Sequence, residues 1–80
     1  MRASARRLDL VRPLSNLGEV YTSLEEFSKA ETYFKRSISI LEEALGKEHP
    51  FLWYPLSGLT QLYLEMHDPQ RALPVAERSL

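Results

Sequence analysis

The sequence predicts an all-α protein: two antiparallel helix-turn-helix repeats stacked as a short right-handed α-solenoid fragment of four helices, the last of them truncated. Three observations carry this. First, residues 13–38 overlay residues 55–80, 42 positions later, with eight identities: Pro13/Pro55, Leu14/Leu56, Ser15/Ser57, Leu17/Leu59, Tyr21/Tyr63, Ala30/Ala72, Arg36/Arg78 and Ser37/Ser79. Ordinary residue usage would give about one or two. Second, apolar residues in both stretches recur at spacings of three and four, the period of one helix face. Third, turn and cap residues punctuate both stretches. A fixed period of this size marks stacked supersecondary units, which present surfaces for binding more often than reactive centres.

In chain order, residues 1–12 form a basic segment, frayed or partly helical, with four arginines against one aspartate. A targeting peptide would also be rich in Arg and Ser, but no cleavage-site pattern follows it. The first unit, residues 13–50, opens with a short helix whose inner stripe is Leu14, Leu17, Val20, Tyr21 and Leu24. Pro13 belongs at or near its start, because a proline within a helix costs about 3 kcal/mol. Ser28 and Glu31 read as a capping box opening a second helix over residues 28–45, with the stripe Ala30, Phe34, Ile38, Leu41 and Leu45. Gly46 supplies the positive-φ residue that ends many helices. Residues 46–50 are a polar turn.

The second unit, residues 51–80, repeats the short helix with Leu56, Leu59, Leu62, Tyr63 and Met66 inward. It starts near Pro55, or else runs from Phe51 with a kink at Pro55. Asp68-Pro69 is a restart signal: Asp caps free amides, and Pro lacks the amide that would go unpaired. The fourth helix should be bent or frayed at its start, because Pro74, about one turn on, lacks the amide that would have met the Gln70 carbonyl. It reaches Leu80 twelve residues on, and the unit is incomplete.

Bulk properties narrow the function. Eighty residues make one small domain with a marginal core. Ten Lys/Arg against eleven Asp/Glu leave a net charge of −1, with no global field to draw the chain to nucleic acid or an anionic membrane. No apolar run is long enough to span a bilayer. With no cysteine there is no thiol or disulfide chemistry, and a reducing, cytoplasmic location is expected.

The spacing Leu14-x2-Leu17-Gly18-x2-Tyr21-x8-Ala30-x3-Phe34 resembles the signature of the tetratricopeptide repeat. The second unit is a weaker copy, Leu56-x2-Leu59-Thr60-x2-Tyr63-x8-Ala72-x3-Ala76. Residues 45–50, Leu-Gly-Lys-Glu-His-Pro, resemble the turn of the kinesin light chain type, whose 42-residue repeats occur in many bacterial signalling proteins. The residues support the same fold on their own. Gly18 and Ala30 are small where two helices must cross closely, and Tyr21 and Phe34 are expected to fill the space around that crossing.

Catalytic and metal readings find no support. His49 and His67 lie on different connections without a second ligand at helix spacing, so turn or capping roles are expected. The glycines are isolated, which leaves no phosphate loop. No cofactor and no metal is expected, and the chain is not expected to be an enzyme.

Stacked helix pairs curl so that their first helices build a concave wall. Off the packed stripe, its candidate binding residues are Arg12, Ser15, Asn16, Glu19 and Ser23, then Tyr54, Ser57, Gln61 and Glu65, with Gly58 among them. The family resemblance implies that Asn16 holds a peptide backbone in extended form and that Gly58 breaks an asparagine ladder. It also implies that a carboxylate-terminated chaperone tail is not the ligand, since Ser15 and Glu19 stand where lysine or asparagine would be needed. Trp53 and Tyr54 are expected to cover the top of the first unit, with interface anchoring as the alternative. The expected function is a scaffold or adaptor module binding a protein, peptide or partner helix in this groove. The alternative is self-association through an uncapped apolar edge at Leu73, Val75 and Leu80.

Overall fold

The computed structural model describes residues 7–79. Four α-helices follow one another: α1 Val11–Ser23, α2 Phe27–Leu45, α3 Trp53–Glu65 and α4 Pro69–Arg78. Short 3-10 turns, Leu8–Leu10 and Pro50–Leu52, lead into α1 and α3. The part of the basic segment before residue 7, and the role given to Leu80, lie outside the described residues, whereas residues 8–12, expected to be frayed or partly helical, are helical.

The 42-residue register governs structure as well as sequence. The 3-10 turns, the starts of α1 and α3, and the starts of α2 and α4 are each 42 positions apart, and α1 and α3 both have 13 residues. Even the tight turns repeat, with Glu25 at φ 61° and His67 at φ 57°. Each closes through the amide of the residue just before the next helix: Glu26 N–H donates to Tyr21 O and Asp68 N–H to Tyr63 O, both at 2.9 Å.

Both short helices start two residues before their proline, so Pro13 and Pro55 fall in a first turn whose amides have no intrahelical partner to lose. The capping box expected at Ser28 and Glu31 does not form. With the turn wound by Glu25, α2 begins one residue earlier, and Glu26 occupies the cap position without a side-chain hydrogen bond. Ser28 is then inside the helix, and Glu31 is drawn to the other unit. Asp68 does cap α4, its carboxylate accepting from Arg71 N–H at 3.2 Å. Gly46 ends α2 at φ 96° and ψ 161°, a region that glycine alone adopts readily. α4 continues through Pro74, where the Gln70 carbonyl loses its usual donor.

α1 packs on α2 and α3 on α4, and α3 rests also on α2 and α1. The core they enclose contains Leu14, Ala30, Phe34, Ile38, Leu41, Leu56, Leu59, Leu62 and Tyr63. Its centre is Phe34, 1 % exposed, whose ring is wedged between Gly18 and Gly58: a Cβ on Gly18 would lie 2.8 Å from it, and one on Gly58 closer still. Tyr21, expected at this crossing, instead stacks on Tyr33 at 5.5 Å between centroids.

The inner stripe of α1 differs from the expected one. Val11, Leu14, Ser15, Gly18 and Thr22 are buried, whereas Leu17, Val20 and Leu24 are exposed. Two serines hold the buried side. Ser37 Oγ donates to Val11 O at 2.7 Å and lies 2.8 Å from Ser15 Oγ. A hydroxyl has one proton, so Ser15 is the donor of the second bond. Across the second junction, Tyr63 donates to Glu31 at 2.5 Å, and Arg78 bonds both Glu42 and, at 3.1 Å, Lys47 O.

Candidate functional site

The first helices of the two units lie side by side, and the depression between them gathers five of the expected groove residues. Glu19 and Ser23 from α1, and Tyr54, Ser57 and Gln61 from α3, line a recess of about 370 Å³ together with Thr22, Trp53, Gly58 and the edge of Phe34. Tyr54 joins the two walls. Its hydroxyl reaches Asn16 Oδ1 at 3.2 Å and Glu19 Oε2 at 3.3 Å, and its one proton is shared between them. Burial first, and the Glu19 carboxylate second, raise the Tyr54 pKa above its ordinary value, so the phenol stays a donor. With Asn16 Oδ1 engaged, the Asn16 amide NH₂ is left to donate outward.

Gln61 Nε2 donates to Glu65 at 3.2 Å on the same face, which extends the polar wall toward the end of α3. Arg12 lines a different cavity. That one, about 520 Å³, is apolar and is bounded by Leu8, Val11, Leu41, Leu45, Phe51, Trp53 and Tyr54 as well. Trp53 and Tyr54 border both recesses, which makes them the hinge between a polar trough and an apolar hole.

Ser15 is not a groove residue. It is fully buried against α2, bonded to Ser37, and no ligand on the concave wall could touch it. Its repeat mate Ser57 is exposed, and Ser79, the mate of Ser37, stands at the end of α4 and bonds Ala76 O.

Several lining residues escape the sequence reading. Trp53, expected chiefly to pack, is 57 % exposed, with its ring set edge-on to Tyr54 at 5.8 Å. Phe51 is exposed beside it. At Gly58, Phe34 occupies the place where a side chain would stand. One sequence signal pointed there, because Asn16/Gly58 and Phe34/Ala76 both shrink from the first unit to the second, so the large ring of one unit can meet the missing side chain of the next. His49 acts as a cap, its Nδ1 accepting from Phe51 N–H at 3.1 Å. Among the described residues no cluster of His, Asp and Glu is placed to hold a metal ion, and no helix is long and apolar enough to cross a membrane.

Comparison with family models matches residues 9–80 to the tetratricopeptide repeat. Comparison with curated proteins gives no match, and comparison with solved structures gives none either. Repeats of this family generally mediate protein–protein interaction and scaffolding, and they are typically not catalytic. With two helix pairs in register and the family signature spanning them, the chain belongs to the tetratricopeptide repeat family.

Proposed function

We propose that this chain is a scaffold module that binds an extended peptide, or one face of a partner helix, along the wall formed by α1 and α3. The observation that carries the proposal is the shared trough. Glu19, Ser23, Tyr54, Ser57 and Gln61 come from two helices yet line one recess, and exposed Trp53 stands where the recess meets an apolar cavity. A ligand backbone would find donors and acceptors in Asn16, Gln61 and the serines, while an apolar ligand side chain would sit against Trp53 and Tyr54. Glu19 and Glu65 favour a ligand without net negative charge along this stretch.

The chain has one tryptophan, so Trp53 emission reports directly on the site. A displayed library of short unstructured peptides is screened, and binders are synthesised and titrated while emission is followed. Binding should move the emission to the blue as Trp53 loses water. Asn16→Ala, Glu19→Ala and Gln61→Ala should each weaken the same peptides at unchanged helicity, since all three side chains are exposed. Unaltered affinity in all three would remove this wall from consideration.

A further inference from the structure

The exposed apolar residues of α1 are the repeat mates of residues that the fold buries in α3. Val20 is 52 % exposed and Leu62 0 %, and Leu17 is 39 % exposed and Leu59 4 %. Leu10 and Leu24 are likewise exposed, whereas Leu52 is buried and Met66 is partly covered. The difference is the neighbour: α3 has the first unit stacked on this face, and α1 has nothing there among the described residues.

The internal junction shows what such a face accepts. There α2 brings Glu31 to the Tyr63 hydroxyl at 2.5 Å and sets Phe34 against Gly58. Arg71 lies over the Tyr63 ring at 5.8 Å and within 3.9 Å of Glu31. The same receiving pair exists in the first unit, where Lys29 of α2 lies over the Tyr21 ring of α1 at 5.4 Å. On the opposite end of the molecule, α4 carries Leu73 and Ala76 at the register of Glu31 and Phe34, and Leu73 is 60 % exposed. The small Ala76 matters. Asn16 stands where the internal junction has Gly58, so a Phe34-like ring could not seat against it, but an alanine could.

We propose that a second copy of this chain stacks head to tail on α1, its α4 taking the place that α2 takes on α3. Leu73 and Ala76 of one copy then meet Tyr21, Val20 and Asn16 of the next. Such an interface is heterologous, because each copy donates one face and receives on the other, and it propagates into longer assemblies unless it closes into a ring. This differs from pairing of two C-terminal edges, which needs only the α4 surface. The groove proposed above shares Asn16 with this surface, but its other residues, Glu19, Ser23, Tyr54, Ser57 and Gln61, are not used here, and Val20→Asp and Leu73→Lys alter no groove residue, so either proposal can fail without the other.

The test is sedimentation of the full chain over a concentration series, with helicity measured alongside. The parent should pass beyond a dimer as concentration rises. Val20→Asp and Leu73→Lys, both at exposed positions, should each give helical monomers. Mixed in equal amounts they should form a dimer and go no further, because each retains the face the other has lost. Leu73→Glu should tighten assembly about tenfold, since it gives Tyr21 and Lys29 of the next copy the carboxylate that Glu31 gives Tyr63 and Arg71. A parent that stays monomeric throughout overturns the proposal. So does a parent that stops at a dimer which Leu73→Lys dissociates and Val20→Asp leaves intact. If a variant loses helicity, Leu24→Asp or Leu17→Asp replaces Val20→Asp, and Leu73→Glu alone still decides: weaker assembly contradicts the stacking.

Discussion

The ring of Phe34 occupies the volume in which a side chain on Gly58 would begin. Two residues from different units therefore share one space, and the junction between units depends on glycine staying at that position. Gly58→Ala should cost about 1 to 3 kcal/mol through overpacking. Thermal melting would show it as a clear fall in Tm. Combined with Phe34→Leu, the loss should be less than the two single losses added, because the smaller side chain vacates the contested volume. Strict additivity would mean that the two residues do not compete.

Tyr63 and Glu31 tie the units together in a way that depends on pH. The hydrogen bond from Tyr63, opposed by partial burial and helped by Lys35, lowers the Glu31 pKa below its ordinary 4.5. Burial first, and the bond to Glu31 second, push Tyr63 up to about 12. A carboxyl held low stabilises the fold above 4.5, and that contribution disappears as pH falls through its folded value. A phenol held high stabilises it below its ordinary 10, and that contribution is lost as pH climbs from there toward 12. Urea midpoints measured across pH should thus decline on both flanks. Tyr63→Phe should flatten the alkaline decline and reduce the acid one.

Ser37 satisfies two buried groups at once, Val11 O and the Ser15 hydroxyl. Ser37→Ala should cost about 1 to 3 kcal/mol, because both partners would be left in the core without a bond. Ser79→Ala, at the repeat mate, should change stability little: among the described residues that hydroxyl bonds the local Ala76 carbonyl at the end of α4. Denaturant midpoints of the two variants give the comparison, and equal losses would contradict it.

Glu25 and His67 hold positive φ angles of 61° and 57°, which L residues adopt at a cost. Glycine at either place removes that cost and adds some freedom to the unfolded chain. Glu25→Gly should therefore raise stability, by up to about 1 kcal/mol. A lower denaturation midpoint would show that the Glu25 side chain contributes more than its backbone loses.

The repeat register made most of the fold legible. Pro13 and Pro55 announced two helix starts, Asp68-Pro69 announced a third, and Gly46 announced an end. What periodicity could not supply was which neighbour each apolar side meets. A helix in a stack has one apolar side for its own partner and another for the adjoining unit, and both follow the same spacing of three and four. Leu17, Val20 and Leu24 were therefore assigned to a core that only their mates in α3 possess. Ser15 was misplaced for a related reason: its twin Ser57 is exposed, and identity of residue does not carry identity of surroundings when the facing serines, Ser37 and Ser79, bond different partners. The exposure of Asn16, Glu19, Ser23, Ser57 and Gln61 was easier to read, since exposure opposite the packed side follows from the helix geometry alone. Trp53 and Phe51 were harder, because aromatic residues before a proline look the same whether they cover a core or rim a cavity.

The pairing of each helix with its neighbour along the chain bears on how quickly the protein forms. α1 meets α2 and α3 meets α4 across turns of only a few residues, and the remaining packing joins consecutive units. Little entropy is lost in closing such short loops, and chains dominated by local contacts fold in microseconds to milliseconds. Either hairpin can therefore act as the nucleus on which the other docks, and the wedge of Phe34 between Gly18 and Gly58 is completed only when they meet.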